Sequence, residues 1–497
     1  MPTTTISSDI NSTDLVAIDL VPDEDLVIQQ GVTVTTTGGN PNGGIGVQSS
    51  SGQHLVTVAG TVRATTGLLW DNAFGALTVT STGVVTGVES GEIEGVGVYV
   101  RGSATGQFNF TNLGLVTGSA TGLAAIFDGR FAGSNDGTIR SSTGDAVTIG
   151  AANGGIFTNN GLIETTSTVS NAVDLFFTGS GGDVVQFVNN GTIRTAGTYA
   201  LDMDSNDANR AFNFGTMDGG VLMGSQNDFL RQAGTLNGDV ELGDGNDRYS
   251  GGTGFTNGTV NAGAGDDFVI GGASADVLQG ANGNDWIRGN NQRDTIYGGN
   301  GNDTLRGDAF NDLLGGGAGN DEMRGGSGSD LMFGGNNNDL MFGQSGKDTL
   351  DGGAGNDTLS GGSFQDTLSG GAGNDQLDGG DARDKLTGGF GQDVLTGGLG
   401  RDTFIWNSAS ESGSLAFSDR ITDFGFQAEL LDLSAIAGPE MDFRWRQAFT
   451  ASGNGEVRFY ETTEGNSVVV ADVDGNGTGD LFIRLDGMGL TADNFIL

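Results

Sequence analysis

The sequence predicts an all-β chain made by winding: a right-handed β-helix first, a narrower parallel β-roll second, and a small β-rich cap last. Three observations point to it. An aspartate falls at every ninth residue from Asp267 to Asp402, sixteen of them in unbroken register. A looser recurrence, with glycines 19 to 31 residues apart, fills the preceding half. Glycine accounts for 94 of the 497 residues beside only 4 prolines, which favours ordered, turn-rich β architecture over a collagen or a proline-rich linker. These patterns divide the chain into a lead or cap over residues 1–30, a solenoid over 31–262, the roll over 263–405 and a final region over 406–497.

The solenoid is read from Ala59-Gly60-Thr61-Val62, Thr82-Gly83-Val84-Val85, Asn160-Gly161-Leu162-Ile163, Asn190-Gly191-Thr192-Ile193, Asn257-Gly258-Thr259-Val260 and similar segments. One coil of a wide β-solenoid has this length, and glycine turns leading into β-branched strands suit it. The Asn-Gly pairs read as turn chemistry.

The roll is read from units such as Gly352-Gly353-Ala354-Gly355-Asn356-Asp357-Thr358-Leu359, which match the nonapeptide G-G-x-G-x-D-x-U-x with U apolar. Glycine supplies positive-φ turns and lets backbone carbonyls crowd together. Aspartate supplies hard anionic oxygen, the donor that Ca²⁺ prefers. The apolar residue two places on, from Val269, Leu278 and Ile287 through to Phe404, turns into a narrow core. Two nonapeptides make one coil, and coils stacked about 4.8 Å apart set each aspartate above the one eighteen residues earlier. Two such charges repel by roughly 3.5 kcal/mol at an effective dielectric near 20, and by under about 1 kcal/mol in water. The column therefore calls for cations between its turns, and Ca²⁺ binding at many sites is the expectation, coupled to folding.

Sorted by coil edge, the repeats fall into two sets. One edge carries Asp267, Asp285, Asp303, Asp321, Asp339, Asp357, Asp375 and Asp393, with turn glycines Gly283, Gly301, Gly319, Gly355, Gly373 and Gly391 two places before and Asn337 as the one substitute. The other edge carries Asp276, Asp294, Asp312, Asp330, Asp348, Asp366, Asp384 and Asp402, and there Ser274, Gln292, Phe310, Phe364 or Ala382 often replaces the glycine. Arg293, Lys347, Arg383 and Arg401 precede aspartates on that second edge. The first edge is expected to hold a full row of ions. The second is expected to bind weakly or in patches, with Asp276, Asp330, Asp348 and Asp402 as its ligands and basic side chains neutralising other carboxylates.

After Phe404 the periodicity stops, and Trp406, Phe417, Phe424, Phe426, Phe443, Trp445, Phe459 and Phe482 supply the core of a small β-rich cap. Within it, Asp472-Val473-Asp474-Gly475-Asn476 begins like a calcium loop, but Ile483 stands where a bidentate glutamate belongs. Asp472, Asp474 and Asn476 are candidate ligands; a tight acidic hairpin is the alternative.

The charge balance of 62 acidic against 21 basic residues, −41 net, argues against nucleic acid or an anionic membrane as partner. There is no cysteine, hence no disulfide and no thiolate site. The first residues, Met1-Pro2-Thr3-Thr4-Thr5, lack the basic and apolar regions of a cleavable signal peptide, and no stretch approaches a membrane span.

The nonapeptide array over about residues 243–405 resembles the RTX, or repeats-in-toxin, haemolysin-type calcium-binding proteins of Gram-negative bacteria. The last ninety or so residues are similar to the C-terminal region of serralysin-type secreted metalloproteases, through Gly400-Arg401-Asp402-Thr403-Phe404, Ser418-Asp419-Arg420-Ile421-Thr422-Asp423-Phe424, Leu431-Asp432-Leu433-Ser434 and the Asp472 loop. Glu429 departs from that pattern, which commonly has aspartate. The resemblance implies a secreted, extracellular protein exported through a type I ABC transporter by an uncleaved C-terminal signal, ending here in Asp493-Asn494-Phe495-Ile496-Leu497. It does not extend to the protease, because H-E-x-x-H is absent and the sequence holds a single histidine, His54.

A cell-surface or matrix adhesin, or an S-layer-like component, is the first functional expectation, since no catalytic cluster is visible and a long solenoid offers repetitive faces. The alternative is a polysaccharide lyase or epimerase whose β-helix uses Tyr99 with Arg101, or Asp128 with Arg130. Membrane toxicity ranks third, because pore-forming relatives carry apolar helical segments that this chain lacks.

Overall fold

The computed structural model describes residues 3–12, 16–19, 25–30, 33–36, 44–48, 53–59, 61–64, 66–71, 74–87, 96–102, 107–151, 153–177, 184–205, 208–412, 414, 418–425, 429–436, 442–445, 456–461, 466–476, 478–486 and 490–497. It divides into two units, Met1–Phe268 and Val269–Leu497, and nearly every described element is a β-strand.

In the first unit parallel strands stack coil on coil. Within residues 1–30, Thr3–Ile6 pairs with Asp25–Ile28, which pairs in turn with Gln53–Val58. Farther on, one coil comprises Gln107–Asn112, Leu115–Thr117 and Thr121–Phe127, and the next comprises Arg130–Asn135, Thr138–Ser141 and Val147–Ala151. The residue two places after the recurrent glycines from Gly60 to Gly234 forms a single inward column, whereas Val260, two places after Gly258, stacks on Val240 and Thr256 takes the place after Leu236. Val62, Val85, Val116, Ile139, Ile163, Ile193, Met217 and Leu236 lie in register, each 0% exposed. The sequence recurrence is therefore the period of this core.

The turn glycines in the middle of this unit are required by close approach, not by a left-handed backbone. A Cβ on Gly161 would stand 2.0 Å from the Gly137 carbonyl oxygen, and one on Gly215 would stand 2.0 Å from that of Gly191. Two residues before these glycines runs a buried amide ladder. Asn112 Nδ2 donates to Asn135 Oδ1 at 2.7 Å, and the pattern continues through Asn159, Asn189 and Asn213 to Gln232. Each amide thus satisfies its neighbour inside a core that would otherwise penalise it.

The second unit winds more tightly, in coils of eighteen residues with two short strands each. Val277–Asn282 pairs in parallel with Thr295–Asn300, and Trp286–Asn290 with Thr304–Ala309. Leu278, Ile296, Leu314, Met332, Leu350, Leu368, Leu386 and Phe404 stack on one side of the core. Ile287, Leu305, Met323, Met341, Leu359, Leu377 and Leu395 stack on the other. The winding ends where Phe404 pairs with Leu431 and that with Phe495, and where Leu395 pairs with Ile421 and that with Leu485. Beyond it, Glu456–Glu461, Ser467–Asp472 and Leu481–Leu485 form an antiparallel meander.

Of the aromatic residues expected in the cap core, Trp406, Phe424 and Phe459 are buried. Phe482 is half-buried. Phe417 and Phe426, and the side chains of Phe443 and Trp445, lie outside the described residues.

Candidate metal centre

The aspartates of the nine-residue register point into the molecule at the corners of the coils, and all are 5% exposed or less. On one edge of the second unit each aspartate N–H donates to Oδ1 of the aspartate one coil later. Asp285 donates to Asp303 at 2.8 Å, and the chain runs through Asp321, Asp339, Asp357 and Asp375 to Asp393. The other edge repeats this from Asp276 through Asp294, Asp312, Asp330, Asp348, Asp366 and Asp384 to Asp402. One carboxylate oxygen is thereby held in place. The second, Oδ2, is buried and lacks any hydrogen-bond partner in every one of these residues except Asp276, whose Oδ2 accepts from Gly272 N–H at 2.6 Å.

The repeat glycines make room for this arrangement. A Cβ on Gly298 would stand 2.2 Å from Asp303 Oδ2 and 2.8 Å from the Gly316 carbonyl oxygen. Gly352 and Gly370 stand in the same relation to Asp357 and Asp375. Carboxylate and carbonyl oxygens of successive coils therefore converge on a small volume with no donor in it. Gly283, Gly301, Gly319, Gly355, Gly373 and Gly391 hold φ between 127° and 149° and turn the chain at those corners. On the other edge Gln292, Phe310, Phe364 and Ala382 keep a left-handed backbone without glycine, at φ of 73° to 92°.

Electrostatics follows from this packing. Burial raises the carboxylates, the donated backbone N–H opposes it, and neighbouring carboxylates add to it. Asp294, Asp312, Asp339, Asp366 and Asp375 are pushed up to about 7. Asp321, Asp348 and Asp384 are pushed up to about 6. The Arg293 guanidinium partly counters the rise at Asp312. Among the described residues Lys347 and Arg383 form no salt bridge with a column aspartate.

Two parts of this system escaped the sequence reading. In the first unit Asn209 N–H donates to Asp228 Oδ1, Asp228 N–H to Asp247 Oδ1 and Asp247 N–H to Asp267 Oδ1, at 2.6 to 2.7 Å. Oδ2 of Asp228, Asp247 and Asp267 is again buried without a partner, and burial pushes Asp228 up to about 8. The signal was present in Gly224-Ser225-Gln226-Asn227-Asp228 and Gly243-Asp244-Gly245-Asn246-Asp247, but intervals of 19 and 20 residues hid it. The second part is Asp419, whose Oδ1 accepts from Asp393 N–H at 3.0 Å while its Oδ2 accepts from Trp406 Nε1 at 2.8 Å. The row in the second unit thus ends on an indole donor in place of a partnerless oxygen.

The Asp472 loop is a separate cluster. Carboxylate oxygens of Asp472, Asp474 and Asp480 lie within 4.8 Å of one another. Asp472 Oδ1 accepts from Gly475 N–H at 2.8 Å, and the Asn476 carbonyl oxygen of the side chain accepts from Thr478 N–H at 2.8 Å. Asp480, absent from the expected ligand set, stands with Asp472 and Asp474, while Asn476 Nδ2 donates to Asp474 Oδ2 at 2.8 Å.

Residues 131–497 match the family model of the peptidase M10 serralysin C terminal. The chain belongs to that family. Both aspartate rows of the second unit, the Asp228–Asp267 row and the Asp472 loop all fall inside the matched region of this RTX-type calcium-binding repeat family. Buried acidic oxygens without donors are the chemistry that a hard divalent cation fits. No curated protein matches the chain. Among solved structures, the AlgE6R2 subunit of the Azotobacter vinelandii mannuronan C5-epimerase is 25% identical over 33% of this chain and 90% of its own, at a TM-score of 0.22. The AlgE6R3 subunit of the same enzyme is 24% identical over 38% of this chain and 80% of its own, at 0.17. At these scores neither likeness bears on the fold of the serralysin C-terminal region described here.

The residues considered for polysaccharide chemistry are not brought into one site. Tyr99 is half-buried, while Asp128 and Arg130 are both exposed. The side chains of His54 and Arg101 lie outside the described residues. A groove of about 380 Å³ beside Arg130 is lined by Gln107, Ile156, Val184, Gln186 and Arg210 among others, with no carboxylate, tyrosine or histidine among the described lining residues.

Proposed function

We propose that this is an extracellular calcium-dependent repeat protein, exported through a type I ABC transporter, whose solenoid serves adhesion to a cell surface or matrix. The single observation that carries the calcium reading is the repeated buried Oδ2 with no donor. Asp285 through Asp393 with Gly283, Gly301, Gly319, Gly355, Gly373 and Gly391 would hold one row of ions, and Asp276 through Asp402 the other. Bound Ca²⁺ would supply the positive charge that these rows of oxygens lack. At ten times the dissociation constant each filled site contributes about 1.4 kcal/mol to folding. In a cell interior of low calcium the rows repel and the repeats stay extended and threadable. Outside, sites of the extracellular class, with dissociation constants of about 0.1 to 1 mM, fill and the coils close.

The second edge is the weaker one in this proposal. A left-handed backbone on Gln292, Phe310, Phe364 and Ala382 costs about 1 kcal/mol at each position relative to glycine. A calcium titration of the full chain followed by far-UV circular dichroism and equilibrium dialysis tests both parts. Metal-dependent gain of β signal with two classes of site is expected. Full β signal in chelator would contradict the folding switch, and one uniform class of site would contradict the inequality of the edges.

A further inference from the structure

One sheet of the first unit differs in charge from the rest of the molecule. From Gln107 to Ser250 its strands Gln107–Asn112, Arg130–Asn135, Gly155–Asn159, Val185–Asn189, Asn209–Asn213, Phe229–Gln232 and Arg248–Ser250 contain no aspartate or glutamate. The whole chain holds 62. The same strands carry Arg130, Arg210, Arg231 and Arg248, all exposed. Among the described residues none of these four forms a salt bridge. On the other sheet of this unit Arg140 pairs with Glu164 at 2.9 Å and Arg194 with Asp218 at 3.4 Å.

Apolar groups are interleaved with these arginines. The Arg231 guanidinium lies 5.6 Å from the centre of the Phe214 ring, and that of Arg248 lies 4.9 Å from Phe268 and 6.0 Å from Phe229. Phe212 meets Phe229 edge-on at 5.6 Å. Upstream, the groove bounded by Gln107, Arg130, Gln186 and Arg210 has Ile156 and Val184 in its wall, 39% and 40% exposed. Among the described residues of these strands and of the groove lining, the surface therefore offers fixed cations, neutral amides and exposed apolar groups, and no exposed carboxylate.

We infer that this face, from Gln107 to Arg248, binds a carboxylated polysaccharide, one built of uronic acid units. It deepens the adhesion reading above by naming what the solenoid holds. Guanidinium forks match carboxylates in bidentate geometry. Amides such as Gln107 and Gln186 match hydroxyls, and phenyl and aliphatic groups receive the apolar faces of pyranose rings. The spacing of charge separates this ligand from a nucleic acid. Arg130 and Arg210 are three strands apart and Arg210 and Arg248 two, which at about 4.8 Å per strand is roughly 14 and 10 Å, and Arg231 stands on the strand between the latter two, displaced from them by two residues along it. Phosphates follow one another at about 3.4 Å along a duplex strand. Four sparse cations on a chain of net charge −41 match a polymer of wider charge spacing.

The test uses the full chain at saturating, constant free calcium, with folding followed by circular dichroism. Short oligogalacturonates are titrated by calorimetry beside their methyl-esterified forms and a single-stranded DNA of equal length. Binding of the free acid alone is expected, with Arg130→Gln/Arg210→Gln weakening it at least tenfold and Arg140→Gln on the opposite sheet leaving it unchanged. Equal binding of the ester or of DNA, equal binding by the double variant, or no binding of the acid would overturn the inference. Adhesion of the chain to a whole matrix preparation without oligogalacturonate binding would sink this ligand while sparing the adhesion reading. Uronate binding by a chain already folded in chelator would do the reverse to the calcium switch.

Discussion

At the scale of a residue, each column aspartate is a compromise between geometry and charge. Oδ1 is tied to a backbone N–H of the preceding coil, while Oδ2 is buried with nothing to donate to it. Asp375 illustrates the consequence, since burial and the charges of Asp393 and Asp357 push it up to about 7. Asp375→Asn keeps an acceptor for Asp357 N–H and removes the charge. It is expected to raise the melting temperature in chelator and to lose about 1.4 kcal/mol of calcium-induced stabilisation, the worth of one site at ten times its dissociation constant. Calorimetric melts in EGTA and in calcium check both signs. A variant destabilised in EGTA by as much as in calcium would show the carboxylate to be an ordinary structural group.

At the scale of an element, the two units use different internal ladders, and they answer to different perturbations. In the first unit Asn159 receives from Asn135 and donates to Asn189, both at 2.8 Å, in a fully buried setting. Asn159→Ala leaves polar groups of both neighbours unmatched and is expected to cost about 2 kcal/mol or more. Asn160→Ala, whose exposed amide donates to Asp136 Oδ1 and accepts from Asn190 Nδ2, both at 2.8 Å and within reach of water, is expected to cost about 0.5 kcal/mol or less. Denaturant unfolding of the pair checks the contrast, and equal costs would contradict the ladder. In the second unit the aspartate rows make metal-free stability depend on pH. Their folded values lie above the unfolded value of about 3.9, so the folded form binds more protons between about 4 and 7. The metal-free stability they confer is complete at acid pH and is lost as pH rises through about 6 to 7. In chelator the β signal is expected to be larger near pH ~5 than near pH ~8. A signal that falls on acidification would contradict this sign.

At the scale of the whole molecule, legibility in the sequence followed regularity of period. The roll was readable to the residue because Asp267 through Asp402 never leave the nine-residue register. The solenoid was readable as coils because Val62 through Leu236 each follow a recurrent glycine by two places. Asp228 and Asp247 perform the same packing as the later aspartates but on coils of irregular length, so no period announces them. Asp419 was hidden by a 26-residue step from Asp393, and only the fold brings Trp406 to its second oxygen. The Asn-Gly pairs read as turn chemistry, but the buried ladder of Asn159 and Asn189 one residue earlier was not legible, since a sequence does not say which of two adjacent amides faces inward. Hydrogen–deuterium exchange of the full chain, in EGTA and in millimolar calcium at neutral pH, tests the central claim most directly. Amides of residues 276–402 are expected to exchange freely in EGTA and to be protected in calcium; equal protection in both would contradict a fold that depends on cations between its coils.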